Sequence, residues 1–585
     1  MIIKKRLFWR ALALMASISL TSTSIVSTAA AGDFADLIFT DAKIYTVDTS
    51  KPWAQTVAIK DGRFVYVGDN EGVEKWIGSK TETVDLGGKF VLPGLVDSHT
   101  HPGMSAVYSE MTTMPFTDST GMPYTSRKDT LAWLKKFSKE NPDLPAIVAG
   151  SWRVADFGPE GPNKRELDEI VSDRPVILME QWGHSQWMNS KALEMLGVTR
   201  NSEDPAPGLA FFQRDSTGEP TGLSMEYAHL PLWKKLLRPT EKLSSKMLTI
   251  LDYLSSQGVT SILDAGNLAY DEEVYAALSQ LDKKGRLPLR IEGSYHIYLP
   301  NRIDNAVAEL KRLRSAYSGD KLTLNTIKIH FDGIAPVYTS ALLSPYSDNA
   351  KISGTTLFDE SRLLVFMREL HKEKIDLHIH VTGDNAARIA LNAYEAITDE
   401  IGKQPDTRLT LCHLDYMSDE DVPRFRQLGV VANFTPHWHG LSETELGFQT
   451  LGERKNRTMR AKPLLDDGAV VSFSSDQYSL EALAQANPFL GMQTGHNRQG
   501  VIGGIAAPVL PPIEDRVSLK NMIKGYTYSG AYQLNMEDQL GSIEVGKKAD
   551  MVVLSDNLFE VNRYELYKVK VETTLLDGEV VFNLQ

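Results

Sequence analysis

The stretch GLVDSHTHPG, residues 94–103, places two histidines one residue apart and just after an aspartate. With the preceding KFVLP, it forms an apolar, β-branched run that predicts a buried strand with a Pro-Gly bend near its start. Because side chains alternate between the two faces of a strand, we expect Asp97, His99 and His101 to project to the same side. An H-x-H pair alone is a weak signal. Two imidazoles and a carboxylate at the end of a buried strand nevertheless favour a site that holds a cation.

The central part of the chain alternates strand-like and helical runs. GVTSILDAG, LPLRIEGSYHI, TLNTIKIHFDG, IDLHIHVTGD, RLTLCHLDY, GVVANFTPHWH and GAVVSFSSDQ are strand-like, and amphipathic runs such as SRLLVFMRELHKEK and NAARIALNAYEAITDEI separate them. Repeated strand–helix units are typical of a parallel sheet, and about eight units predict an α/β fold with a closed (β/α)8 TIM-type barrel. We place this barrel at residues 89–539. The segment after the first strand is too long for a single strand–helix unit, which predicts an insertion at roughly residues 103–240.

Both ends of the chain are predicted to be β-structure. Strand-like segments with Asp-Gly turns occur near residues 61–62 and again near 577–578. Neither end has enough strands for a stable sheet of its own. We therefore predict one small composite β-sandwich domain, built from residues 32–88 and 540–585.

The first residues have the order of a cleavable secretory signal. Four basic residues in MIIKKRLFWR precede the short apolar run ALALMASISL and an A-x-A site at residues 29–31. The apolar run is too short to span a bilayer. We predict a signal peptide over residues 1–31 and a secreted or periplasmic protein, with an N-terminal membrane anchor as the alternative. No later segment is apolar enough to be transmembrane, so we expect no membrane span after cleavage.

Composition and charge restrict the partners of the chain. With 42% hydrophobic and 23% charged residues it is a globular protein with an ample core. Removing the signal takes away four positive charges and no negative ones, so the net charge changes from −13 to −17, which disfavours nucleic acid as a partner. Cys412 is the only cysteine, so an exported chain would fold without intramolecular disulfides. The sequence is compatible with a homo-oligomer.

Histidines, a lysine and aspartates recur where the predicted barrel strands end. Barrel enzymes build their active sites at these C-terminal ends. Each residue alone has a structural explanation, such as a hydrogen-bonded core histidine. Several imidazoles from different strand ends, together with a lysine and carboxylates, indicate a metal-dependent active site instead. The set comprises His99, His101, Lys328, His330, Asp332, His378, His380, His413 and Asp476.

These residues resemble a known family. GLVDSHTHP, the strand-borne lysine in IKIHFDG, HVTGD, CHLD, SSDQ and the closing GSIEVGKKADMVVLS are similar to motifs of the metal-dependent amidohydrolase superfamily. RPVILMEQWGHSQWMNSKALEMLG and GEPTGLSMEYA extend the resemblance to its YtcJ-like branch, which includes N-substituted formamide deformylase. The resemblance covers essentially the whole chain after the signal. Two departures are Trp182 before Gly-His, where the branch usually has an acidic or small residue, and FTPHWHG, which lacks the usual glutamine before proline.

The resemblance implies one or two divalent metal ions, usually zinc. Carried over position by position, it makes His99, His101, His380, His413 and Asp476 the metal ligands, with Lys328, carboxylated by carbon dioxide, as a bridge between two ions. His378 competes with His380 for one role, and the H-x-x-G-D pattern selects His380. Pairing with Asp332 is the alternative for Lys328. His437 and His439 form a second H-x-H that either lines the pocket or is structural.

The resemblance also implies hydrolysis of an amide-type C–N bond of a small molecule. A divalent metal activates water as hydroxide, and Asp476 would carry its proton to the leaving nitrogen. His184 would donate to the developing oxyanion, or it is structural. The supply of aromatic residues (Phe157, Trp182, Trp187, Phe211, Phe212, Tyr338 and Trp438) favours a substrate with an apolar or aromatic group. Alternatives are a deaminase, an ester or lactone hydrolase, a periplasmic binding protein and a non-catalytic regulatory relative.

Overall fold

The computed structural model describes residues 34–114, 126–154, 157, 161–440, 448–480 and 482–584. The predicted signal peptide, residues 1–31, lies outside the described residues. Across these described segments, no helix combines the length and the apolar character that crossing a membrane requires.

Eight parallel strands form the central sheet, and they follow one another in chain order around it. The two end strands meet where the Ser98 hydroxyl donates to the Phe473 carbonyl at 3.1 Å and the Asp476 N–H donates to the His99 carbonyl at 2.8 Å. The predicted (β/α)8 TIM-type barrel is therefore confirmed. Its strands, first to eighth, are Leu95–Thr100, Val259–Asp264, Arg290–Ile297, Leu322–His330, Asp376–Val381, Leu409–His413, Val431–Phe434 and Val471–Phe473.

Helices separate the barrel strands and cover their outer face. In Glu360–Glu373, the buried residues Leu363, Phe366, Met367 and Leu370 recur at helical spacing and form one apolar stripe toward the sheet. The Asp359 side chain caps its N-terminus by accepting from a backbone N–H. The remaining barrel helices are Leu243–Ser256, Asp271–Lys283, Ala306–Tyr317, Asp384–Ile401, Val422–Leu428, Ala461–Asp467, Pro488–Asn497, Leu519–Gly525 and Tyr528–Gln533.

The insertion after the first barrel strand contains a sheet of its own. This six-stranded sheet has the order Phe212–Arg214, Pro220–Met225, Ser185–Met188, Val176–Glu180, Ile147–Trp152 and Thr112–Thr113. The helices of this region are Pro102–Tyr108, Arg127–Glu140, Lys164–Asp168, Ser190–Leu196 and Leu230–Leu236. Trp152 and Trp187 are buried in its core. The strands Ser185–Met188 and Pro220–Met225 end over the barrel mouth, where Ser185 lies opposite Met225.

Two further sheets contain the strands from the chain ends. One has the order Arg63–Gly68, Thr56–Lys60, Leu37–Thr40 and Glu82–Asp85, and the other Glu579–Asn583, Val571–Leu576, Met551–Leu554, Phe90–Pro93, Lys43–Tyr45 and Trp53–Ala54. Met551–Leu554 pairs antiparallel with Phe90–Pro93, so strands from both ends share one sheet. Side chains of both sheets, among them Phe64, Val91 and Leu575, share one apolar cluster. This packing is a β-sandwich.

Candidate metal centre and active site

Three side chains meet where the first and eighth barrel strands end. The Nε2 atoms of His99 and His101 are 3.2 Å apart, and Asp476 Oδ1 lies 3.4 Å from the first and 3.3 Å from the second. Asp476 has φ 48°, a left-handed conformation that is uncommon for a residue other than glycine. Its N–H is bonded to the His99 carbonyl, so the contact that joins the barrel edges also fixes this carboxylate beside the histidines.

His380 and His413 come from the fifth and sixth strands and complete this cluster. His413 Nδ1 is 3.8 Å from Asp476 Oδ2, and the ring centres of the two histidines are 4.5 Å apart. Their Nδ1 atoms are buried and have no hydrogen-bond partner among the described residues. Burial lowers the pKa of His413 to about 3 although Asp476 opposes the shift, so the ring is neutral at pH 7 and its nitrogen offers a lone pair.

Other groups hold the first two histidines from behind. His101 Nδ1 lies 3.1 Å from the Gly266 carbonyl, which can only accept, so Nδ1 carries a hydrogen and Nε2 is the ring nitrogen turned toward the cluster. His99 Nδ1 is 3.0 Å from His378 Nε2. His378 thus contacts His99 on the side away from the cavity, whereas His380 lines the cavity. The geometry therefore favours His380 over His378 as the member of the cluster.

Lys328 is buried beneath the cluster. Its Nζ donates to Cys412 Sγ at 3.1 Å. The Asp332 carboxylate instead accepts from the N–H groups of Ala341, Thr382 and Gly383 at 2.9 to 3.0 Å. Its oxygens therefore bond loop backbone and not the lysine. The structure therefore does not show the alternative pairing of Lys328 with Asp332, and it leaves the lysine facing the cavity.

His184 reaches the site from the insertion, at the turn between Val176–Glu180 and Ser185–Met188. Its Nδ1 is 2.7 Å from Glu226 Oε2, and the same oxygen lies 3.1 Å from His330 Nε2. Burial favours the neutral acid, but His184 and His330 outweigh it and lower the pKa of Glu226 to about 2. Burial favours neutral His184 too, and the Glu226 charge raises the pKa of His184 above its ordinary value. Sequence reasoning did not single out Glu226, although it lies in the quoted GLSMEYA.

A cavity of about 120 Å³ opens above the cluster. Of the aromatic residues expected to form its walls, Trp182 and Trp438 line it, and the Trp438 ring stacks on His413 at 5.6 Å. Trp187 and Phe212 instead lie in hydrophobic cores, because a buried aromatic side chain has the same sequence signature in either place. The other apolar and aromatic wall residues are Met104, Tyr108, Tyr227, Leu268, Ile334 and Tyr478.

The second H-x-H lies behind this cavity. His437 Nε2 is 2.6 Å from the Ser475 carbonyl, which fixes the ring under the eighth strand end. His439 is fully buried beside Phe434. Neither histidine lines the cavity, so the geometry favours the structural explanation for both.

The donor set fits a divalent metal ion. Imidazole nitrogens and a carboxylate are the ligands that zinc prefers, and metal-bound histidines usually bond a second group through their other nitrogen. His99, His413 and Asp476 place donor atoms within 4.8 Å of one another. The bare Nδ1 atoms of His380 and His413 would otherwise be buried at a cost, since an unpaired buried polar atom is unfavourable.

A profile of the amidohydrolase family matches residues 82–582. The chain belongs to this family. It is 26% identical to N-substituted formamide deformylase of Arthrobacter pascens over 93% of this chain and 97% of that protein. It is 29% identical to exoenzymes regulatory protein AepA of Pectobacterium carotovorum subsp. carotovorum over 70% of this chain and 87% of that protein. An uncharacterized metal-dependent hydrolase from Pyrococcus horikoshii shares the fold with a TM-score of 0.66 at 24% identity, covering 90% of this chain and 99% of that one.

Family membership confirms the resemblance found in the sequence. It also confirms the prediction of a hydrolase that acts on carbon–nitrogen bonds. The barrel fold and the clustered histidines and carboxylates agree with metal dependence.

Proposed function

We propose that the chain is an exported hydrolase that uses a divalent metal ion to cleave the amide-type C–N bond of a small neutral molecule. The imidazole and carboxylate ligands favour zinc as that ion. One observation carries the proposal. Four imidazoles and the Asp476 carboxylate, drawn from four strand ends, converge on one cavity at the barrel mouth. A core that needed only packing would not concentrate so many desolvated polar groups at one point.

His99, His101, His380, His413 and Asp476 would hold the metal, and Lys328, as a carbamate, would bridge a second ion. A bound divalent ion would supply a Lewis acid that polarises a carbonyl and acidifies water. The chemical state of Lys328 indicates the number of ions, because an unmodified ammonium group would be repelled by two divalent cations. In a one-ion site, Lys328 would keep its contact with Cys412.

The chain's own groups would then handle the proton. The Asp476 carboxylate, turned into the cavity, would take a proton from water and deliver it to the leaving nitrogen. His184 would face the carbonyl oxygen and donate to it as negative charge develops. Its raised pKa supports this role, because a donor to an oxyanion must carry a hydrogen on the nitrogen that faces the substrate.

The cavity wall supports a neutral, apolar or aromatic substrate. Trp182, Tyr108, Tyr227, Trp438 and Tyr478 supply flat apolar surface. Among the described lining residues, Lys328 is the only lysine or arginine, and it lies at the floor near the metal cluster. A carboxylate or phosphate on the substrate would therefore lack a cationic partner at the rim, whereas an aryl or alkyl group would bury apolar area.

Metal analysis followed by a substrate panel tests the proposal. The purified chain is expected to hold one or two divalent ions and to hydrolyse at least one N-formyl or N-acyl arylamine faster than matched esters, lactones or aminopurines. His101→Ala is expected to lose metal, while His371→Ala, on the outer helix Glu360–Glu373, is a matched control that keeps it. A chain without metal, or a metal-loaded chain that prefers the ester, lactone or aminopurine arm, would contradict the proposal. A metal-loaded chain inert on every arm would favour a role like that in the name of the AepA relative.

A further inference from the structure

Glu226 is a fully buried carboxylate at the junction of the insertion and the barrel. The antiparallel pairing of Ser185–Met188 with Pro220–Met225 places it one residue beyond the last strand pair, directly beside His184. Its N–H donates to the His184 carbonyl at 2.6 Å. Its φ of 47° is left-handed, an unfavourable conformation for a residue with a side chain. Such strain is retained where the surrounding structure imposes a particular side-chain direction.

The two carboxylate oxygens divide their contacts between the layers. Oε2 contacts His184 from the insertion and His330 from the fourth barrel strand, and Oε1 accepts from the Thr339 hydroxyl at 2.6 Å. An ionised carboxylate only accepts hydrogen bonds, so His184 carries a hydrogen on Nδ1. The His184 ring lines the cavity, and its remaining nitrogen, Nε2, is the one that can face a bound molecule.

The barrel backbone is shaped to admit this carboxylate. A Cβ atom at Gly333 would lie 2.1 Å from Glu226 Oε1 and 2.0 Å from the Thr339 hydroxyl, closer than atoms can approach. Gly333 follows the fourth barrel strand, so only a glycine lets the insertion's carboxylate reach the barrel at this point.

We propose that Glu226 is a positioning residue that fixes the orientation of the His184 ring, so that Nε2 of an insertion-borne histidine faces the reacting group over the barrel's metal ligands. This inference rests on the proposed function for the role of His184. The orientation itself is a property of the free chain and can be measured without turnover.

Glu226→Gln tests the kinetic consequence. The amide fills the same space but removes the charge and one acceptor site. We expect kcat on the best substrate of the panel to fall about 100-fold, the effect of misplacing a catalytic group by about 1 Å, in a folded variant that keeps its metal content. KM is expected to change less than about threefold, because the lost contact acts in the transition state. Glu219→Gln, which changes an exposed carboxylate that pairs with Arg200 just before the strand Pro220–Met225, is the matched control and should keep its kcat.

A double-mutant cycle shows whether Glu226 acts through His184. In a His184→Gln background, Glu226→Gln should cause almost no further loss of kcat, since the group that it positions is already absent. Full additivity of the two losses would overturn the proposal. Thr339→Val, which removes the Oε1 contact together with the bond that the Thr339 hydroxyl accepts from the Ile334 N–H, is expected to give an intermediate loss.

Ring ¹⁵N spectra of the histidine-labelled full chain give a readout besides activity. The His184 signal, assigned by its disappearance in His184→Gln, should show Nδ1 protonated in the wild type and in Glu219→Gln, and should shift in Glu226→Gln. An unchanged His184 signal in Glu226→Gln overturns the inference. If the wild type hydrolyses nothing on the panel, the proposed function fails, and this spectrum still decides whether Glu226 orients His184.

Discussion

Asp550→Asn is expected to destabilise the fold without touching the active site. Asp550 stands just before the sandwich strand Met551–Leu554, and its side chain is 4% exposed. Both of its oxygens accept from the guanidinium of Arg290, one at 3.2 Å, and Arg290 begins the third barrel strand. The same guanidinium contacts Asp577 at the C-terminal hairpin turn. This ion pair therefore joins the sandwich to the barrel at the end opposite the metal ligands.

The expected loss follows from what the variant leaves behind. Breaking a buried ion pair costs about 3–5 kcal/mol, because the remaining charge stays desolvated. Asp577 still pairs with Arg290 in the variant, and the asparagine oxygen can keep the bond from the Asp577 N–H at 3.0 Å. We therefore expect Asp550→Asn to lower the unfolding free energy by about 3 kcal/mol, the low end of the range for a broken buried ion pair. Asp577→Asn should lower the unfolding free energy by about 1 kcal/mol. The Asp577 side chain is 34% exposed, so its ion pair with Arg290 should contribute about as much as an exposed pair.

Urea unfolding followed by tryptophan fluorescence measures this loss at fixed metal concentration. The midpoint should fall and the m-value should stay constant, since the surface exposed on unfolding is the same. Asp556→Asn, an exposed residue of the same domain bonded to Ser555, is the control. Metal content and kcat of the folded variant should match the wild type. A loss below about 1 kcal/mol, the range of exposed pairs, would refute the assignment of Arg290 as a buried link between the domains.

Four further predictions concern the site and the chain ends. Asp476→Asn should lower kcat about 100- to 10,000-fold while keeping substrate binding, because an amide can offer an oxygen to metal but cannot take a proton from water; near-normal kcat would remove it from the mechanism. Lys328→Ala should lose metal and activity, with partial rescue by short-chain carboxylic acids, and finding one ion per chain with an unmodified amine would exclude the bridge. N-terminal sequencing of protein from its native cell should find a start near Gly32, and Met1 on active, envelope-bound protein would contradict cleavage of the signal and favour the N-terminal anchor. Truncation after Leu540 should lower the melting temperature although the site residues remain, and an unchanged melting temperature would show that the ends are independent.

The barrel could be predicted from the sequence because its strands are buried on both faces. Leu95–Thr100 and Asp376–Val381 are buried at every position, so each forms a continuous strand-like run between helical patterns. Strand ends in a barrel converge, which brings His99, His380 and Asp476 together although they are far apart in the chain. The β-sandwich was predictable for a different reason, because neither end of the chain has enough strands alone.

Contacts across the insertion could not be predicted in the same way. Its edge strand Thr112–Thr113 has two residues, too few for any periodic pattern. Glu226 meets His184 and His330 through sheet register and a left-handed backbone, neither of which leaves a local signature in composition or spacing. The aromatic residues show the same limit, since Trp182 lines the cavity and Trp187, five residues later, is buried in the insertion core.

Two buried carboxylates thus join different layers of the molecule, and their variants should differ in their effect on kcat. Asp550 joins the sandwich to the barrel through a charge that lies far from the ligands, so its loss should lower the unfolding free energy and spare kcat. Glu226 joins the insertion to the barrel through the His184 ring, so its replacement by glutamine should lower kcat even in the folded, metal-loaded variant. If Glu226 were merely a structural link, its folded, metal-loaded variant would keep its kcat, as that of Asp550 should. Measuring both quantities on both variants therefore separates a residue that holds the fold from one that aims a catalytic group.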